Sequence, residues 1–310
     1  MTFELTVLGS SSALPTSTKY PSAYVLNVHE RFFLIDCGEG TQIQLRKAKM
    51  KFSKISHIFI SHMHGDHVFG LFGLLSTFEL LGRKMPLHIY GHPELNALIT
   101  FYREHFGNEA TYPIELHAIS KRREQAVFHD KVVEVIAFPL KHRIPSFGYL
   151  FRETERPLNI RSDIIEKYRL NFKQINSVKS GEDLVLENGK IISNANLTYP
   201  PLKARTFAYC SDTAIYDRNL SILRNVDLLF HEATFLEKDK HIARLTGHST
   251  ALQAASFAVR AEIGELLIGH FSSRYKEPQL FLDEAQAVFK NTKIAGELER
   301  YSIPQKRIDE

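Results

Sequence analysis

Short apolar, β-branched runs recur in both halves of the chain, and several lead into a histidine or an aspartate. FELTVLG (3–9), AYVLNV (23–28), RFFLIDC (31–37) and HIFISH (57–62) come first, followed by IELHAI (114–119) and VVEVIAFPL (132–140). TFAYCSD (206–212), DLLFHEAT (227–234) and ELLIGHFS (265–272) repeat the theme. Each is short, rich in β-branched and aromatic residues, and bounded by turn residues, which is the pattern of a buried strand. Helical spacing falls between them. GTQIQLRKAKM (40–50) is one such stretch, and PELNALITFYREHFG (93–107) is punctuated by Pro in its first turn and Gly at its end. TALQAASFAVRAE (250–262) is a third, and it separates the last two strands. Two sheets with helices outside satisfy this order, which predicts an α/β fold, a four-layer α/β/β/α sandwich.

With 310 residues there is enough chain for a large core. Apolar residues make up 44% and charged residues 24%, the balance of a soluble globular protein. No apolar run approaches the ~20 residues of a membrane span, and the start, MTFELTVLGS, has no signal-peptide pattern. Cys37 and Cys210 both sit in apolar strand patterns and read as buried free thiols, which fits a reducing cytosol. The net charge of +4 permits an anionic partner. Basic residues gather in RKAKMKFSK (46–54) and KRR (121–123), each equally readable as a solvated face. Residues 152–200 stand apart. They are polar and too poor in apolar residues for a core of their own, so they read as an inserted arm.

The densest chemistry is SHMHGDH (61–67), with three histidines around Asp66. On an extended chain residues i and i+2 share a face, so His62 and His64 can touch one ion. Gly65 allows a turn, and Asp66 and His67 can then reach a second ion. His142, Asp212 and His270 have the same placement at the ends of apolar runs. The set is then His62, His64, Asp66, His67, His142, His270 and Asp212, with Asp212 able to bridge. Imidazole and carboxylate suit zinc, with manganese or iron as alternatives. His29, His57, His88, His92, His105, His117, His129 and His241 read as surface or structural.

HMHGDH matches the HxHxDH signature of the metallo-β-lactamase superfamily. SDT, HEATF, GHST and GHFSSRY, with DCGEGTQ (36–42) and HRIPSFGY (142–149), resemble the ribonuclease Z family, endonucleases that trim tRNA 3′ ends. The resemblance spans about residues 3 to 275. It implies one metallo-β-lactamase-fold domain over 1–310 holding two zinc ions that activate water against a phosphodiester. It implies cleavage of precursor tRNA after the discriminator nucleotide, leaving a tRNA 3′-hydroxyl and a trailer 5′-phosphate. His248 of GHST and Glu232 of HEATF then protonate the leaving oxygen, and Asp66 both ligates and orients the attacking water. His231 supports the site through hydrogen bonding from behind, and Asp36 of DCGEG does the same for the loops.

The same resemblance makes residues 152–200 an arm that clamps the tRNA elbow, serving the partner subunit in a cytoplasmic homodimer. Arg169, Lys173 and Lys179 are its phosphate contacts. The chain departs from the family in two places. The arm lacks the usual Gly-Pro-rich motif, and SSSALPTSTKYPSA (10–23) lacks the Arg-Asn of the usual Pro-x-Lys-x-Arg-Asn loop. A small-molecule phosphodiesterase of the same fold, or an RNA-binding protein with an inactive site, are the competing readings. The arm and the GHST–HEATF pair argue against the first, and the intact ligand set against the second.

Overall fold

The computed structural model describes residues 1–106, 112–119, 123–186, 188–200 and 202–307. Residues 121 and 122 of the second basic cluster lie outside them. The strands are β1 (Phe3–Gly9), β2 (Ala23–Val28), β3 (Arg31–Ile35), β4 (Ile55–Phe59), β5 (Leu87–Gly91), β6 (Ile114–Ala118), β7 (Gln125–His129), β8 (Val133–Pro139) and β9 (Phe147–Glu153). They continue as β10 (Leu184–Val185), β11 (Ile191–Ile192), β12 (Thr206–Cys210), β13 (Leu228–Glu232), β14 (Glu265–Gly269), β15 (Thr292–Ile294) and β16 (Arg300–Ser302). The helices are α1 (Thr41–Lys47), α2 (Gly65–Val68), α3 (Gly70–Leu80), α4 (Leu95–His105), α5 (Ser162–Lys167), α6 (Phe172–Lys179), α7 (Asn194–Leu197), α8 (Lys240–Thr246), α9 (Ala251–Arg260) and α10 (Gln279–Gln286).

Two compact units emerge, residues 1–152 with 206–303, and residues 153–205 with 304–310. The first holds two seven-stranded sheets, ordered β16-β1-β2-β3-β4-β5-β6 and β15-β14-β13-β12-β9-β8-β7. Alternation along each strand sorts its side chains into layers. Phe3, Leu5, Val7, Tyr24, Leu26, Phe59, Phe207 and Tyr209 form the core between the sheets. The intervening Leu8, Val25, Leu34, Ile58 and Ile60 face α1, α3 and α4, meeting Leu45, Leu71, Leu74, Leu75, Phe78 and Ile99. Ala208, Cys210, Leu229 and Ile268 face α9 and α10, meeting Ala254, Ala258 and Phe281. Those three cores are the seams of the four-layer α/β/β/α sandwich that the strand order predicts. Phe59 sits at the middle seam, stacked on Tyr90 at 4.5 Å and edge-on to Tyr149 at 5.2 Å. Truncating such a ring to alanine costs roughly 3–5 kcal/mol.

Strands β3 and β4 run parallel, as do β12, β13 and β14. Their C-terminal ends carry the chemistry-bearing residues. Helix α9 begins as its sequence foretells. Thr250 caps it by accepting the Gln253 N–H at 3.2 Å, and the Gln253 side chain returns the bond. Cys37 and Cys210 are both free and buried. No helix among the described residues is long and apolar enough to cross a membrane.

The second unit corrects one expectation. Ile164, Leu170, Val178, Leu184 and Leu197 are buried together, so the segment does pack a small core. Its apolar residues are spread over α5, α6, β10, α7 and the link at Leu170, which hides them from any single-period reading. Helix α6 starts with a reciprocal capping box between Asn171 and Gln174. The two ends of the segment are joined by a buried ion pair. Arg205 donates Nε to Glu153 Oε2 at 3.0 Å and Nη2 to Oε1 at 2.8 Å, and Arg156 adds a second donor to Oε1 at 2.8 Å.

Burial raises the Glu153 carboxyl, but Arg205 outweighs it and holds the pKa at about 2. A depressed carboxyl contributes stability above its unfolded pKa of 4.5 and loses it as pH falls toward 2. Glu153→Gln should cost about 3 kcal/mol at neutral pH. Denaturant melts of the two proteins from pH 7 down to pH 3 should show that gap constant above pH 5 and shrinking below it.

Candidate metal centre

Histidine and aspartate meet at one rim because strands of both sheets end there. Past β4 the chain continues through Ser61 to His62 and His64. Then Gly65 opens α2, which carries Asp66 and His67. His142 follows β8, Asp212 follows β12, Glu232 ends β13, and His270 follows β14. Two of these strand ends are conformationally costly. Asp36 and His270 hold φ of 55° and 62°, a left-handed conformation that costs roughly 1–3 kcal/mol each for a residue with a side chain. The turn at His270 is fixed by its own N–H, which donates to the Ser10 carbonyl at 2.8 Å.

The seven residues form two groups. His62, His64, His142 and Asp212 bring one ligand atom each within 4.8 Å of one another, and so do Asp66, His67 and His270. Asp212 faces both. Its Oδ2 lies 3.6 Å from His62 Nε2 and 3.9 Å from His142 Nε2, while its Oδ1 lies 3.4 Å from His67 Nε2 and 3.2 Å from His270 Nε2. Asp66 Oδ2 stands 3.5 Å from both His67 Nε2 and His270 Nε2, and it accepts the Ala13 N–H at 2.9 Å.

The donors fit a metal. His67 Nε2, His142 Nε2, His270 Nε2 and Asp212 Oδ1 are buried and have no hydrogen-bond partner. Buried polar atoms without partners are costly and rare, and here four of them converge. Burial pushes His62, His64 and His142 below the usual imidazole range, so they stand neutral, the form that ligates. Burial opposes the charge on Asp212, but the imidazoles of His270, His67 and His62 outweigh it and hold that carboxyl well below its usual range.

The far side of each ring is held in place. Asp36 is fully buried at the end of β3, and its Oδ2 faces His67 Nδ1 at 2.7 Å. The same carboxylate accepts Ser61 N–H at 2.7 Å, Ser61 Oγ–H at 2.8 Å and Tyr209 O–H at 2.6 Å. His142 Nδ1 faces the Gly247 carbonyl at 2.9 Å, and His270 Nδ1 faces Thr234 Oγ1 at 3.0 Å. Each contact fixes a ring so that Nε2 points inward. Gly70 and Gly38 let the two loops touch backbone to backbone, since a Cβ on Gly70 would collide with the Gly38 carbonyl.

Beside this centre lies a carboxylate–imidazole pair. Glu232 is fully buried and faces His248 Nδ1 at 2.9 Å with Oε1, which also accepts Thr213 N–H and Ser249 N–H, both at 3.1 Å. Its Oε2 accepts from Thr234 N at 2.9 Å and Thr234 Oγ1 at 2.8 Å. Burial works against a charge on His248, but Glu232 outweighs it and lifts the pKa to about 9. His248 Nε2 then points toward Asp212 Oδ2, 4.0 Å away. A cleft of about 570 Å³ opens over His64, Asp66, Asp212, His248 and His270, roofed by Ala13, Leu14 and Pro15.

His231 is not brought to this site. Alternation along β13 sends Glu232 inward and His231 to the opposite face, where its ring meets Phe257 of α9 and its Nδ1 faces the Glu232 carbonyl at 2.7 Å. Arg169 and Lys173 are exposed and Lys179 half-buried, all in the second unit. Four residues that orient the ligands, Ser61, Tyr209, Thr234 and Gly247, carry no signal in the sequence beyond standing next to a ligand motif. Lys141, Arg143, Lys240 and Arg244 also escape a sequence reading. With His142 and His248 they line a groove of about 980 Å³.

The fold and the histidine–aspartate centre define a metal-binding hydrolase of the metallo-β-lactamase fold. A solved protein of that fold, YhfI from Bacillus subtilis, superposes with a TM-score of 0.69 at 20% identity, covering 97% of this chain and 100% of that one. Human tRNase Z, short form, superposes at 0.71 with 28% identity, covering 97% of this chain and 99% of that chain. The family model described as anti-Pycsar protein Apyc1 matches residues 3–99. Ribonuclease Z of Bacteroides fragilis is 46% identical over 295 residues, 95% of this chain and 97% of that relative. The chain belongs to the ribonuclease Z family.

Asp36→Asn tests the outer support. It should leave the fold intact and lower affinity for the bound metal roughly 10–100-fold, read by competition against a chelator.

Proposed function

We propose that the chain is the endoribonuclease that removes the 3′ trailer of precursor tRNA. It cuts after the discriminator nucleotide and leaves a tRNA 3′-hydroxyl and a trailer 5′-phosphate. The observation that carries this reading is the buried Glu232–His248 pair beside the metal centre, in a chain of the ribonuclease Z family. His62, His64 and His142 would hold one zinc ion and Asp66, His67 and His270 a second, with Asp212 within reach of both groups. Manganese or iron suits the same donors. Divalent cations held there supply Lewis-acid charge to phosphate oxygens and make water a nucleophile at neutral pH.

The protein's own side chains do the rest. Asp66 stands at the floor of the cleft and orients the attacking water. His248 is kept protonated by Glu232 and gives its Nε2 proton to the leaving 3′ oxygen. Five hydrogen-bonding contacts hold Glu232, so the imidazole keeps one tautomer and one direction. Lys141, Arg143, Lys240 and Arg244 lie along the groove beside His248, where an RNA backbone reaching the centre would pass. Residues 152–200 serve as the tRNA clamp, with Arg169, Lys173 and Lys179 meeting phosphates. The family resemblance supports that role and a homodimeric assembly. The two buried thiols fit work in the cytoplasm.

The test is end-mapped cleavage of a precursor tRNA with a 3′ trailer, beside a small phosphodiester. The reading expects a single cut at the discriminator; hydrolysis of the small ester alone would overturn it. His248→Ala should lower turnover of the precursor ~10²–10⁴-fold with metal content unchanged. Loss of a metal ion in that variant would make His248 a ligand. Deleting the 152–200 segment should impair cleavage of the precursor and spare the small ester.

A further inference from the structure

A second histidine–carboxylate cluster lies outside the centre already described. Strands β5 and β6 pair in parallel, and their register sets His88 beside Glu115 and Tyr90 beside His117. Side chains two apart on a strand share a face, so His117 stands on the same side as Glu115. His88 Nδ1 lies 3.1 Å from His117 Nε2 and 3.3 Å from Glu115 Oε2. One ligand atom from each of the three falls within 4.8 Å of the others.

Those separations have a meaning for a small cation. Nitrogen and oxygen ligands sit ~2.0–2.2 Å from a zinc-sized ion, which makes the edge of a tetrahedron ~3.3–3.4 Å. Both measured gaps are close to that edge. A single proton on His88 Nδ1 can serve only one of its two neighbours, whereas a cation serves both.

Both rings are also fixed before any ion arrives. His88 stacks on His57 at 4.9 Å and 13°, and His117 stacks on Tyr90 at 4.4 Å and 12°. Glu115 is exposed, which leaves an open side for water to complete the coordination.

The cluster is remote from the first one. His88 pairs in register with His57 inside β4, whereas His62 lies beyond the C-terminal end of that strand. His88 and Glu115 are each the second residue of their strands, so they stand near the N-terminal ends, away from the rim that carries the first centre. Strand β6 is the edge of its sheet and pairs only with β5 among the described residues.

We propose that His88, Glu115 and His117 form an additional divalent transition-metal site, one ion of the zinc, nickel or cobalt class, that ties edge strand β6 to β5. It takes no part in cleavage and is independent of the proposed function. The test is equilibrium dialysis of the metal-loaded full chain against Zn²⁺ or Ni²⁺, with metal counted by plasma mass spectrometry. Glu115→Ala changes an exposed side chain and so keeps the fold; His117→Ala removes a ring ligand. Both should bind one equivalent fewer than wild type while cleaving phosphodiester at the wild-type rate. Saturating Ni²⁺ should raise the melting temperature of the wild type above that of either variant. Equal metal content in all three proteins would overturn the site, and a matching loss of activity would overturn its independence.

Discussion

Four buried polar atoms with no partner of their own face one another at the rim of the sandwich: three imidazole nitrogens and one oxygen of Asp212. In an apolar interior each would cost about 1–3 kcal/mol. The surrounding structure spends further stability to keep them there. Asp36 and His270 hold left-handed backbone, and Glu232 is buried as a carboxylate. The two sheets make this arrangement affordable. Their three apolar seams fix the strand ends, so that side chains from both sheets meet on one rim.

The chemistry follows from how each donor is held on its far side. Asp36, Gly247 O and Thr234 face the outer nitrogens of His67, His142 and His270, and each ring then has one direction left for its inner nitrogen. Asp36 in turn is fixed by Ser61, which follows β4 of one sheet, and by Tyr209 of β12 in the other. Thr234 contacts both Glu232 and His270, so the Glu232–His248 pair and the candidate ligands share one hydrogen-bonded frame. A change at any of these outer residues alters orientation before it alters charge.

Much of this was legible in the sequence, and the exceptions have physical causes. The strand at 3–9 and the one at 23–28 match their predicted bounds because they are bounded by polar turns. HIFISH ends as a strand at Phe59, before His62, because the ligand loop gives up ladder bonds to reach the centre. Helix α3 leaves little signal in the sequence because LFGLLSTFEL is apolar nearly all round and shows little periodicity. The histidines and aspartates that converge at the rim were legible as candidate ligands because metal chemistry demands particular residue types at strand ends. Ser61, Tyr209 and Thr234 were not, since a hydroxyl that orients a ring looks like any other hydroxyl. His231 misled for a simpler reason: it adjoins Glu232 in sequence, and a strand sends neighbours to opposite faces.

In the proposed two-zinc centre, everything turns on Asp212 serving both groups of donors at once. The direct measurement is a chelator titration of the zinc-loaded protein, comparing wild type with Asp212→Ala and following the release of each ion. If Asp212 is shared, both ions at the centre should come off at lower chelator concentration in the variant. If one of them leaves where it does in wild type, the carboxylate belongs to a single site and the account of a joined centre is wrong.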